Sequence, residues 1–163
     1  MRARARDDRG MPADTSLTVT RLIDAPAGEL FDVLTLPARH KEIDGSGRVV
    51  SDDRTDRITA VGQVFTMNMH VEGRGDYQTD NHVTGYDKNA LVAWQTALAG
   101  TDPAGWEWVW ELQQDGPDAT NVSLTYDWGK VTDKAVLERV GFPAISKEEL
   151  EASLGNLAAA VSS

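Results

Sequence analysis

The stretch GWEWVWELQQDGPDATNVSLTYDWG, residues 105–129, carries the fold signal of this chain. Trp106, Trp108, Trp110 and Leu112 occupy every second position of its first half, and Val122, Leu124, Tyr126 and Trp128 do the same in its second half. A period of two places each set on one face of a β-strand. The intervening QDGPD, residues 114–118, has turn chemistry. Antiparallel pairing then brings Leu112 to Val122, Trp110 to Leu124, Trp108 to Tyr126 and Trp106 to Trp128, while Asn121, Ser123, Thr125 and Asp127 share the other face. An indole offers ~150–250 Å² for burial. Three of them in a row exceed the apolar patch a soluble monomer leaves exposed, so this face is predicted to look inward.

Working outward, the same alternation recurs. GQVFTMNMHV (62–71) puts Phe65, Met67, Met69 and Val71 on one side and Thr66, Asn68 and His70 on the other. EGRG (72–75) is a turn, and DYQTDNHVTGY (76–86) returns. Centring the turn on Gly73 pairs Met69 with Tyr77, Met67 with Thr79 and Phe65 with Asn81; Asn68 meets Gln78 and Thr66 meets Asp80 on the other face. DKN (87–89) turns into ALVAWQTAL (90–98), which sets Trp94 beside Val83. RVVSD (48–52) is a short strand, and TSLTVTRLI (15–23) a longer one with Leu17 and Val19 on one face. Between these two, Pro26 opens a helix with Leu30, Phe31 and Leu34 as its apolar stripe. Gly28 weakens that helix and Pro37 ends it. Residues 37–47 form a short irregular helix or loop that closes on glycines.

The C-terminal part is helical. A short helix over 132–140 stops at Gly141 and Pro143. Ser146 and Glu149 then fit a capping box, with Ile145 and Leu150 placed as a hydrophobic staple. Leu150, Leu154, Leu157 and Val161 recur at helical spacing. Gly155 interrupts good helix chemistry, either to let the sheet or a ligand approach or as a tolerated exception. Parallel βαβ units and internal repeats are absent. The predicted fold class is α+β, a curved antiparallel sheet of about seven strands wrapped around a long C-terminal helix.

Composition narrows the function classes. The chain has 163 residues, enough for one domain, with 40% apolar and 26% charged residues. A formal net charge of −10 argues against nucleic-acid binding. No apolar run approaches the ~18 residues of a membrane span, so no membrane insertion is expected. With no cysteine, disulfides, thiolate metal sites and a cysteine nucleophile are excluded, which suits a cytoplasmic protein. Residues 1–12 read as a disordered basic tail, in which Arg2, Arg4, Arg6 and Arg9 outnumber Asp7 and Asp8. Either Met1 or Met11 serves as the start. Residues 13–163 form the single expected domain.

Taken together, IDAPAGELFDVLTLPARHKEIDGSG (23–47), GQVFTMNM (62–69), NHVTGYD (81–87), WEWVWEL (106–112) and VSLTYDWG (122–129) resemble, in their order, the SRPBCC superfamily (START-like, helix-grip fold) and within it the bacterial polyketide cyclase/dehydrase-like group. The likeness spans about residues 15–161, nearly the whole domain. It implies a deep cavity between sheet and last helix. Members bind lipids, sterols, polyketides or plant metabolites there, and some catalyse cyclisation or dehydration. The fold alone does not choose among these.

The strand faces name the expected ligand-binding wall. Phe65, Met67 and Met69 come from one strand, Tyr77 and Asn81 from the next, and Trp94 from the third. Trp106, Trp108 and Trp110 follow, then Tyr126 and Trp128. Leu150 and Leu154 face them from the helix. Aromatic and methionine walls suit a small hydrophobic partner, aromatic or lipid-like. The alternative is an enzyme acting on a carbonyl-bearing substrate in that space, with Asn81, Tyr126 and His40 as candidate catalytic residues. His70 and His82 are expected to project outward into solvent. No metal site or cofactor is expected: HExxH, P-loop and GxSxG patterns are missing. A homodimer and a protein-interaction module are left open.

Overall fold

The computed structural model describes residues 14–162. The expected basic tail, residues 1–12, lies outside them. The chain runs β1 (Ser16–Ile23), α1 (Ala27–Leu34), a 3₁₀ turn (Pro37–Arg39), α2 (His40–Ile43), β2 (Val49–Asp52), β3 (Val64–Val71), β4 (Gly75–Asp87), β5 (Leu91–Leu98), β6 (Glu107–Gln114), β7 (Thr120–Asp127), α3 (Lys134–Val140) and α4 (Lys147–Val161). Seven strands make one antiparallel, curved sheet in the order β1-β7-β6-β5-β4-β3-β2. From β2 to β7 it is a meander, each strand pairing with its sequence neighbour. The first strand closes the far edge against the last.

The register follows the alternation. Trp108 pairs with Tyr126, Trp110 with Leu124 and Leu112 with Val122. Phe65 pairs with Asn81, Met67 with Thr79 and Met69 with Tyr77, and Val83 sits opposite Trp94. A one-residue slip would have turned the aromatic face to water, so the pattern specifies the register strongly. The pairing of Trp106 with Trp128 is not made, because β6 begins at Glu107 and β7 ends at Asp127. Both indoles instead converge on Phe142, with ring centroids 5.7 and 6.0 Å away. A bulge falls between Val83 and Gly85 in the longest strand. A Cβ on Gly85 would meet Leu91 Cδ2 at 2.7 Å, so glycine permits the bend there.

The long helix α4 buries Leu150, Ser153, Leu154 and Leu157 and packs against β1, β7, α1 and α2. Its start is the expected capping box: the Ser146 hydroxyl accepts from Glu149 N, and Glu149 Oε1 accepts from Ser146 N. In α3 the cap is Asp133, which accepts from Ala135 N and Val136 N; Gly141 ends the helix in the left-handed region at φ 65°. The expected start at residue 132 shifts because the Asp133 side chain satisfies these first amides. Likewise Pro26 is the residue before α1, not its first helical position. Residues 53–63 form no regular element, yet Ile58 is fully buried and its amide donates to the Thr35 carbonyl.

Two glycines mark close approaches. A Cβ on Gly45 would lie 2.2 Å from the Glu149 carbonyl oxygen and 2.7 Å from Ser153 N. The segment after α2 therefore lies directly on the α4 backbone, held by Gly45 N donating to Ser153 Oγ. At Gly155 an added Cβ would meet only Arg21 Nη1, at 3.4 Å, the mobile end of a side chain. Of the two readings of Gly155, tolerance fits. No helix among the described residues is long and apolar enough to cross a membrane.

Candidate ligand-binding cavity

Between the inner face of β3–β7 and the first turns of α4 lies a cavity of about 830 Å³. Its far side is closed by residues 139–145, which link α3 to α4, and by residues 43–49 after α2. The interior is therefore not a gapless core. α4 packs on β1 and β7, and the space lies beside it over the inner face of β3–β5.

Of the expected wall, Phe65, Met67, Met69, Tyr77, Asn81, Trp94, Trp106, Trp108, Trp110, Tyr126 and Leu150 bound this cavity. Trp128 and Leu154 are buried but do not reach it. Trp128 lies past the end of β7, stacked on Phe142 at an interplanar angle of 8°. Phe142 itself lines the cavity and was not singled out from sequence. Its one signal is an aromatic residue held between Gly141 and Pro143 in a loop with no other reason to be apolar. Trp108 and Tyr126 stack in parallel, centroids 4.2 Å apart, as their paired register on one face requires.

A buried polar relay crosses the wall. Trp108 Nε1 donates to Thr96 Oγ1, Thr96 Oγ1 donates to Asn81 Oδ1, and Asn81 Nδ2 donates to Thr79 Oγ1 and the Phe65 carbonyl. Each member satisfies the next, which removes the cost of burying them. Asn81 is thus already engaged by the protein. Thr96 was legible in principle, since it stands two residues from the inward Trp94.

Tyr126 differs. Its hydroxyl accepts from Ala144 N at 3.4 Å, and no group among the described residues accepts its own proton. Burial pushes its phenol up from the ordinary value, against smaller opposing effects of Ala144 N–H and the Arg48 charge.

His40, a candidate catalytic residue, is buried. Its ring stacks on Trp94 at 5.1 Å and meets Phe65 edge-on at 5.4 Å. Nε2 lies 2.8 Å from the Leu34 carbonyl, which only accepts, so Nε2 carries the proton and Nδ1 the lone pair. Nδ1 has no partner among the described residues, yet it is not among the side-chain atoms sealed from solvent. It opens onto the cavity that His40 lines. Burial lowers the His40 pKa to about 4, outweighing the Leu34 carbonyl and the charges of Asp44 and Asp52. The ring is neutral at physiological pH.

The other histidines point away from the cavity. His70 is exposed, with Nδ1 2.8 Å from Asp76. His82 is only half-buried, but its Nε2 is sealed without a partner, so it is not simply solvated as expected. Among the described residues no three His, Asp or Glu side chains are grouped to hold a metal ion.

No family model matches the chain. Over 139 residues it is 32% identical to the uncharacterized protein Rv0088 of Mycobacterium tuberculosis, covering 83% of this chain and 59% of that protein. The chain thus spans less than two thirds of that relative's length. Among solved structures, protein Ms6760 of Mycobacterium smegmatis superposes with a TM-score of 0.65 at 15% identity, over 90% of each chain. DynU16, from the dynemicin biosynthetic locus, superposes with a TM-score of 0.60 at 17% identity, over 90% of this chain and 47% of its own. The fold is the helix-grip fold.

Proposed function

We propose that this chain binds a small hydrophobic molecule, aromatic or lipid-like, in the cavity. The observation that carries this reading is a half-open space of about 830 Å³ whose wall is rich in tryptophan, methionine and phenylalanine. Ligand pockets run ~300–1,000 Å³ and are mostly apolar with a few placed polar groups. The Tyr126 hydroxyl and His40 Nδ1 are such groups, one a donor and one an acceptor. The binding requires no metal or nucleotide. We place the chain in the SRPBCC superfamily, near its polyketide cyclase/dehydrase-like members; the order of its motifs and the helix-grip fold support that placement. A chain without cysteine suits the cytoplasm, to which we assign it.

Native mass spectrometry of freshly purified protein tests this directly, with a co-purified small molecule as the expected result. Trp94, Trp106, Trp108 and Trp110 all face the cavity, so titration with aromatic and lipid candidates should quench or shift tryptophan emission. A bare mass together with unchanged emission across that panel would overturn the reading.

One observation favours a second reading, an enzyme acting on a carbonyl-bearing substrate. Tyr126 offers a proton donor and His40 Nδ1 a base in the same cavity. Tyr126 would donate to the carbonyl oxygen, and His40, a weak base with a pKa of about 4, would take a proton from a carbon already acidified by two flanking carbonyls. Asn81 serves here by holding the wall. Turnover of a poly-carbonyl test substrate, lost in Tyr126→Phe and His40→Gln while dye binding persists, is the outcome this reading requires. Binding without turnover in the unaltered protein leaves the carrier reading alone.

A further inference from the structure

The rim of the cavity is charged in a way the chain as a whole is not. The formal net charge is −10, yet Arg48, Arg74 and Arg139 all line this one cavity. Arg48 leads into β2 and is half-buried; its Nη2 reaches across to the Ala144 carbonyl at 3.4 Å. It therefore bridges the two segments that roof the space. Arg74 stands at the β3–β4 turn and Arg139 in the last turn of α3, both exposed. Among the described residues none of the three guanidiniums lies within ion-pair distance of a carboxylate.

Two carboxylates share the lining: Asp44 has both oxygens engaged, while the exposed Asp76 keeps Oδ2 free among the described residues. Asp44 Oδ1 accepts from the Ser46 amide and hydroxyl, and Oδ2 from Val49 N. Asp76 Oδ1 is bonded to His70 Nδ1. The acids at the rim serve local structure, whereas the arginines have donors to spare. A guanidinium presents five N–H groups in a planar fork that matches an oxyanion, and it strengthens where apolar walls displace water.

We propose that the guest is an apolar acid: an aromatic or lipid-like body inside the cavity, and one anionic oxygen head at the rim held by Arg48 with Arg74 and Arg139. This rests on the carrier reading above and adds the chemistry of the ligand's polar end. An anionic guest is repelled by most of the surface of this acidic chain and attracted only at the entrance.

Two dyes of shared aromatic body test it on the full chain. 1-Anilinonaphthalene-8-sulfonate carries an anionic head, and N-phenyl-1-naphthylamine lacks it. The expected result is roughly tenfold tighter binding of the sulfonate, the worth of a charge-assisted contact. Arg74→Gln and Arg139→Gln should each weaken the sulfonate several-fold and the neutral dye far less. Lys88→Gln, at the opposite end of β4 from Arg74, should alter neither. The unaltered protein supplies a measurement independent of variant folding. Raising salt from about 0.02 to about 0.5 M should weaken the sulfonate and not the neutral dye. Equal affinity for the two dyes, or a sulfonate affinity indifferent to salt and to both substitutions, overturns the proposal while the cavity stands. Failure of both dyes to bind overturns the carrier reading itself.

Discussion

His40 is the residue whose environment departs furthest from its ordinary chemistry. Stacked on Trp94 and edge-on to Phe65, it has a pKa of about 4 against ~6.5 in an unfolded chain. Between these values the unfolded state binds the proton that the folded state refuses. Stability therefore falls as pH drops through that window and is unaffected by this group above it. From pH 7 to pH 5 the loss amounts to about 2 kcal/mol. Urea denaturation of the unaltered protein and of His40→Phe at the two values reads it, and the variant should lose less stability by about that amount. A His40 proton resonance titrating near 6.5 would contradict the buried ring. The sequence placed this histidine after the first helix but not its burial, since burial comes from β3 and β5 folding over it. The Asn81 relay is a similar case. Alternation pointed Asn81 inward, while only pairing with β3 and β5 showed that Phe65, Thr79 and Thr96 already occupy it.

At the scale of elements, α4 is the piece whose position defines the cavity. Its first turn is held by the reciprocal Ser146–Glu149 bonds. Ser146→Ala should cost about 1 kcal/mol in chemical denaturation. Gly45→Ala should do more damage, because the new methyl meets α4 backbone, at Glu149 O and Ser153 N, with no flexible side chain to yield. A loss of about 1–3 kcal/mol is expected, together with weaker guest binding as α4 is pushed off the residue 43–49 segment. A Gly45→Ala protein as stable as the original would mean that this contact is looser than described. Both helices of the C-terminal part were legible from caps and spacing, because capping is local chemistry. The tight fit at Gly45 was not, since its partner lies more than a hundred residues away in the chain.

The whole molecule is a curved sheet and a helix that do not close completely on each other. If the space between them is open, enlarging a wall residue should be tolerated better than in a packed core. Met67→Trp projects an indole into the cavity from β3. It should cost less than about 1 kcal/mol, against the ~1–3 of an overpacked core, and abolish binding of both dyes. A large destabilisation with binding retained would place Met67 in solid core. Strand identity, register, the inward face and the α4 cap were determined by the sequence by itself, because each follows from a period of two, a period of 3.6 or a turn of a few residues. The volume of the cavity, the desolvation of His40, the occupied state of Asn81 and the presence of Phe142, Arg48, Arg74 and Arg139 in one cavity lining arise from tertiary structure alone. Sheet curvature and the seating of α4 bring together residues far apart in the chain, and no local pattern encodes a distance between them.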